Sequence, residues 1–244
     1  MPLALLRRPD PDHLDIVHGG ETLRIAVRRL PAARRLTLRV SQATGEVVIT
    51  LPARTAIATA QRFATSHGGW IAARLARLPE RVPFAGGALL PLRGVSHRII
   101  HRGVRSGATT LVGDGPEPAI SVSCEAAHIA RRVREFLERE VRRDLAVAVG
   151  RYTERLGQGP KRITVRDTRS RWGSCTARGD LNFSWRLIMA PPLVLDYLVA
   201  HEMAHLREMN HSNRFWTLLG GLCPHVDEAE AWLKRYGATL HRYG

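Results

Sequence analysis

The chain has 244 residues, 44% of them hydrophobic and 24% charged, which is enough to bury a substantial core and too apolar for wholesale disorder. Its 37 Lys plus Arg against 22 Asp plus Glu leave a net charge of +15. Lys161 and Lys234 are the only lysines, so the charge is arginine, whose planar fork suits nucleic acid, nucleotides or acidic substrates; a solvated basic surface explains the same surplus without a partner.

Three cysteines with no C-x-x-C spacing exclude a disulfide scaffold and a cysteine zinc knuckle. No apolar run is long enough to span a bilayer, and too few apolar residues precede Arg7 and Arg8 for a secretory signal. A cytoplasmic protein without a membrane partner is expected.

In chain order, residues 1–18 read as an N-terminal tail rich in Pro and Asp near its start. Alternation with a period of two follows: Leu23, Ile25 and Val27, then Leu36, Leu38 and Val40, then 47–51 ending at Pro52. This predicts a small antiparallel sheet, with turns at Gly19-Gly20 and at Ala43-Thr44-Gly45. The period then changes. Ile57, Ala60, Phe63, Ala64, Trp70, Ile71, Leu75 and Leu78 fit one face of a helix over 55–78, broken at Gly68-Gly69. Short strands are expected near 95–100, 109–112 and 119–123.

A long helix is predicted over 125–156, with a stripe running from Ile129 through Val133, Phe136, Leu137, Val141, Leu145, Val149 and Tyr152 to Leu156. Its other face interleaves Arg131, Arg132, Arg134, Arg139, Arg142 and Arg143 with Glu135, Glu138 and Glu140, the pattern of a solvated, salt-bridged surface. Gly157 ends it. A strand over 163–165, a polar loop over 167–180 and a strand over 181–189 lead to Pro191-Pro192, which opens a further helix over 192–209. The fold class is therefore α+β: a strand-rich N-terminal region over 19–124, then a catalytic region over 125–244 built around that last helix.

The segment His201-Glu202-Met203-Ala204-His205 carries the chemistry. Four helical residues apart, the two histidines differ by about 40° around the axis and project one turn apart from the same face. That spacing lets two imidazole nitrogens reach one zinc ion. Glu202, set to the side, is poorly placed as a ligand but can deprotonate a zinc-bound water, the division of labour behind H-E-x-x-H. Asn210 is expected to take the left-handed conformation that turns the chain back, so that His211 approaches as third ligand and leaves the fourth position open for water. Glu208 stands where metzincin sites have glycine.

Around these residues, Arg171-Trp-Gly-Ser-Cys175, the stretch 181–191, Tyr197 to His205, Asn210-His-Ser212 and Phe215-Trp216 resemble the YgjP-like metallopeptidase family, a zincin-type group similar to the SprT-like and WLM proteases. The likeness is specific over about 160–220 and looser over 20–160. It implies a zincin-like catalytic domain, zinc on His201, His205 and His211, Glu202 as general base, and a peptide or protein substrate.

Cys175 reads either as a thiol activated by Arg166, Arg169, Arg171 and Arg178, or as part of a packed turn in which Trp172 covers the metal helix. Arg171, Tyr197 and His225 are candidates for stabilising transition-state charge. The strand over 181–189 is expected at a sheet edge, where it could take an extended peptide. Phe215 and Trp216 are expected to pack on the metal helix. Asp227, Glu228 and Glu230 could support the histidines or simply face solvent. Two rival functions stay open: a metal-dependent nucleotide hydrolase, and a nucleic-acid-associated module with structural zinc.

Overall fold

The computed structural model describes residues 11–41, 44–78, 80–103, 107–113, 117–168 and 170–244. The chain divides into two compact units, 1–79 and 80–244.

In the first unit, β1 (His13–His18), β2 (Glu21–Arg29), β3 (Thr37–Val40) and β4 (Val47–Leu51) form one sheet in the order β1-β2-β4-β3. Alternation puts Leu14, Ile16, Leu23, Ile25, Val47, Ile49 and Leu51 on one buried face. There they share a core with Ala60 and Ala64 of α1 (Ile57–Ser66) and Ile71 of α2 (Gly68–Ala76).

Four expectations change here. Residues 13–18 are a strand and not tail, because β1 pairs with β2 through the His18↔Glu21 register. The sheet is mixed, since β4 lies between β2 and β3 and runs parallel to β2. The helical break falls at His67, just before the glycines. Trp70, placed in the apolar stripe by its spacing, is 42% exposed. Ala43 lies outside the described residues, so the expected turn there is seen only from Thr44 onward.

The second unit opens with β5 (Leu89–Leu92), β6 (Val95–His101), β7 (Thr110–Val112) and β8 (Ala119–Val122), in the order β5-β6-β8-β7. Their inward residues Leu90, Leu92, Ile99, Ile120 and Val122 belong to the same core as the long helix α3 (Ile129–Leu156). No boundary therefore falls near 124; the division lies at 79/80. Pattern gives the faces of these strands but not what covers them, and what covers them is α3.

The stripe predicted on α3 is buried from Ile129 to Leu156, and Gly157 closes the helix at φ 65°. Its polar face is not wholly solvated. Glu140 is 6% exposed and is held by Arg93 at 3.0 Å and Arg143 at 2.8 Å. Arg131–Glu135 and Arg134–Glu138 are the surface pairs that the spacing suggested.

A three-stranded sheet follows: β9 (Arg162–Arg166), β10 (Gly173–Cys175) and β11 (Asp180–Ser184), in the order β10-β11-β9. β10 arises inside the expected loop. β11 is central and not an edge: it pairs parallel to β9 and antiparallel to β10, with Leu181 and Phe183 buried. The predicted strand ends at Ser184 and continues as a 3₁₀ helix, Trp185–Met189. Then come α4 (Pro192–Ala204), α5 (Asn213–Leu222) and α6 (Val226–Tyr236). From Val194 to Ala204, α4 is buried at every residue but Asp196 and His201, as expected of a helix enclosed by its neighbours rather than one with a wet face. Among the described residues, no helix is long and apolar enough to cross a membrane.

Candidate metal centre

Helix α4 carries His201 and Glu202 in its last turn, and His205 caps it. The helix does not run on to Met209. Leu206 and Arg207 donate backbone N–H groups to Met203 and Ala204 in a tight turn, and Ser212 N–H returns to Asn210 O at 2.7 Å. Asn210 is not left-handed: among the described residues, Arg93 is the only non-glycine with positive φ. The reversal comes instead from this run of short backbone bonds, helped by the His205 ring, whose Nδ1 meets Glu208 O at 3.0 Å. It leads into α5 and brings His211 back to the other two histidines.

One ligand-type nitrogen from each of His201, His205 and His211 falls within 4.8 Å of the others. His201 Nε2 and His211 Nε2 are 3.1 Å apart, near the separation of about 3.4 Å expected for two nitrogens on one tetrahedral zinc with bonds of ~2.0–2.1 Å. Tautomers are set from behind. Tyr197 donates its hydroxyl to Glu230 Oε1 at 2.7 Å, so its oxygen accepts from His201 Nδ1–H at 3.3 Å. His205 Nδ1–H donates to the Glu208 carbonyl. Both leave Nε2 as a lone pair facing the centre.

Burial, aided by the neighbouring imidazoles, lowers His201 to about 4. Burial also lowers His205, against the Glu208 carbonyl. Both rings are thus neutral at pH 7, the form a metal needs. The donor set fits a borderline divalent cation such as zinc.

Glu202 is 5% exposed. Burial pushes its carboxyl up to about 7, while the Arg171 charge and the Cys175 backbone N–H pull it down. Here the Arg171–Cys175 segment acquires a physical role. A Cβ at Gly173 would lie 2.5 Å from Glu202 Oε1 and 2.8 Å from its Cγ, so only glycine lets β10 pass this close to the carboxylate. Trp172 stacks on His241 at 4.9 Å and packs, partly buried, against the core to which α4 belongs. Cys175 is no activated thiol. Burial first, then the charges of Glu202 and Asp180, push it up to about 11. Of the four arginines invoked for it, Arg169 lies outside the described residues.

A cleft of about 330 Å³ opens over the histidines, walled by Arg171, β10, Glu202 and Met209. Phe215, fully buried, stacks on His205 at 4.6 Å. Trp216 is 43% exposed, lies flat on His211 at 5.7 Å and meets the His201 ring of α4 edge-on at 6.4 Å. Of the three candidate charge stabilisers, only Arg171 lines this cleft. Tyr197 works behind His201, and His225 lies beside Asp196, outside the cleft lining. Among the acidic candidates on α6, Glu230 supports a histidine through Tyr197, whereas Asp227 and Glu228 are exposed in its first turn.

The sequence reading missed three supports of this centre: the closeness of Gly173, the Cys175 N–H and the Glu208 carbonyl. The only signal for the first two was the Trp-Gly-Ser-Cys motif.

A family model described as the YgjP-like metallopeptidase domain matches residues 34–236, a span that contains every residue of the centre. Neither a curated protein nor a solved structure matches the chain.

Proposed function

We propose that this chain, which belongs to the YgjP-like metallopeptidase family, is a zinc peptidase in which His201, His205 and His211 hold the metal and Glu202 is the general base. The observation that carries this reading is the convergence of three imidazole nitrogens within 4.8 Å beside a buried carboxyl raised to about 7. A zinc ion on these residues would polarise the scissile carbonyl and acidify the attacking water.

The protein's own groups supply the rest. Glu202, poised near neutrality, accepts the proton that water releases as its oxygen bonds to the carbonyl carbon; it then delivers that proton to the amine nitrogen as the C–N bond breaks. The Cys175 N–H donates to the carboxylate, and the missing side chain of Gly173 leaves it the room it occupies. Arg171, on the wall of the cleft, is the residue suited to steady negative charge on the carbonyl oxygen. β10 lies at the edge of its sheet and lines the cleft, so an extended peptide can add to it as a further strand. This moves the peptide-docking role from the 181–189 segment to 173–175.

Among the described residues that line the cleft, Arg171 is the one fixed cation. That suits a peptide better than a triphosphate, whose clustered charge calls for several cations. The test is incubation of metal-free and zinc-restored protein with a disordered polypeptide and, separately, with nucleoside triphosphates. Peptide fragments only with zinc are expected. Phosphate or pyrophosphate release without peptide cleavage would overturn the assignment.

A further inference from the structure

Asp196 lies on α4 five residues before His201, roughly 140° away around the helix. There it meets the connection between α5 and α6, the sequence Cys223-Pro224-His225. A carboxylate oxygen of Asp196, the sulfur of Cys223 and a ring nitrogen of His225 all fall within 4.8 Å of one another. His225 Nε2 is buried and only 3.1 Å from Asp196 Oδ2, yet no hydrogen bond joins them. At that distance it is alignment, not separation, that denies the pair a hydrogen bond. Ligand-type atoms this close, with no hydrogen bond between them, are placed to share a cation. Their spacing also matches the separation of about 3.3 Å between N and O ligands on a tetrahedral zinc.

The other partners of Asp196 leave room. Arg151 pairs with Oδ1, and Tyr152 donates its hydroxyl to Oδ2 at 2.9 Å. An ionised carboxylate offers about four lone-pair sites, so Oδ2 keeps one. Cys223 is fully buried, with the His225 backbone N–H directed at it. A cleft of about 390 Å³, lined by Asp144, Arg151, Asp196 and His225 among others, opens onto the same place.

We propose that Asp196, Cys223 and His225 form a second metal site, for zinc or another borderline divalent cation, with a water from the cleft in the fourth position. The thiol proton leaves to solvent as the metal binds. The site would tie α4, which carries His201 and Glu202, to the α5–α6 connection and so brace the helix of the first centre.

Cobalt(II) titration of metal-free, full-length protein tests this, because a thiolate ligand adds a sulfur-to-cobalt charge-transfer band that histidine ligands lack. The wild type is expected to bind two equivalents and show the band. Cys223→Ser and His225→Ala should each lose one equivalent and the band. Cys175→Ser, near the three-histidine centre, should keep both. A single equivalent in the wild type, or a band that survives in Cys223→Ser, would overturn the proposal. Should Cys223→Ser fail to fold, His225→Ala at a partly exposed side chain decides: two equivalents retained there would also overturn it.

Discussion

Replacing Gly173 with alanine perturbs Glu202 without touching a histidine. The new methyl would sit 2.5 Å from Oε1, 2.8 Å from Cγ and 3.0 Å from Cδ, where ordinary contact begins at 3.4 Å. Either the carboxylate retreats by roughly 0.9 Å or β10 moves outward and takes the Cys175 N–H with it, and misplacement of a reacting group by about 1 Å costs on the order of 10²-fold in rate. Overpacking adds about 1–3 kcal/mol of destabilisation.

The assay is zinc content together with kcat/KM on a disordered polypeptide. Zinc should remain at the wild-type level on the three histidines while kcat/KM falls about 100-fold. In a Glu202→Gln background, the same alanine should cost little more, since both changes act through one group. Full activity in Gly173→Ala, or strictly multiplicative losses in the double variant, would refute the idea that Gly173 serves the carboxylate.

Two further outcomes follow from the surroundings of the centre. Tyr197→Phe removes the acceptor behind His201 Nδ1 and cuts its link to Glu230; zinc affinity measured by competition with a chromophoric chelator should weaken about 10- to 100-fold, and unchanged affinity would contradict the relay. Glu202 titrates near 7 in the folded protein against a reference of 4.5, so metal-free protein loses stability from this group as pH rises from 4.5 through 7. The lowered His201 works in the opposite sense, its stability present above 6.5 and lost as pH falls toward 4. Metal-free Glu202→Gln should therefore be more stable than wild type at pH 7.5, by up to about 3 kcal/mol, and equal to it near pH 4. Denaturant midpoints at the two pH values measure this, and a pH-independent difference would count against a strained carboxylate.

How much of this could be read from the chain depends on the range of the interaction. The α3 stripe and the face shared by His201 and His205 follow from helical periodicity alone, and His211 follows from a short turn. β10 could not be seen, because three residues, Gly-Ser-Cys, are too few to show alternation. That β11 is central and β10 the edge depends on strand order, a tertiary property. Asn210 misled because a helix end has several ways to reverse, and here backbone bonds and the His205–Glu208 contact do it without a left-handed residue. Glu140 looked solvated because its partner Arg93 lies 47 residues away in sequence. The division at 79/80 was hidden for a similar reason: strand pattern does not reveal that the 89–122 sheet packs on α3.

The central claim is that a metal on three histidines works with Glu202 as its base. It is tested most directly by turnover of a disordered polypeptide by zinc-loaded wild type and zinc-loaded Glu202→Gln, with zinc measured in the same samples. If Glu202 is the base, zinc on the three histidines stays equal while kcat falls by at least about 10²–10⁴-fold. Equal zinc with undiminished kcat would contradict it.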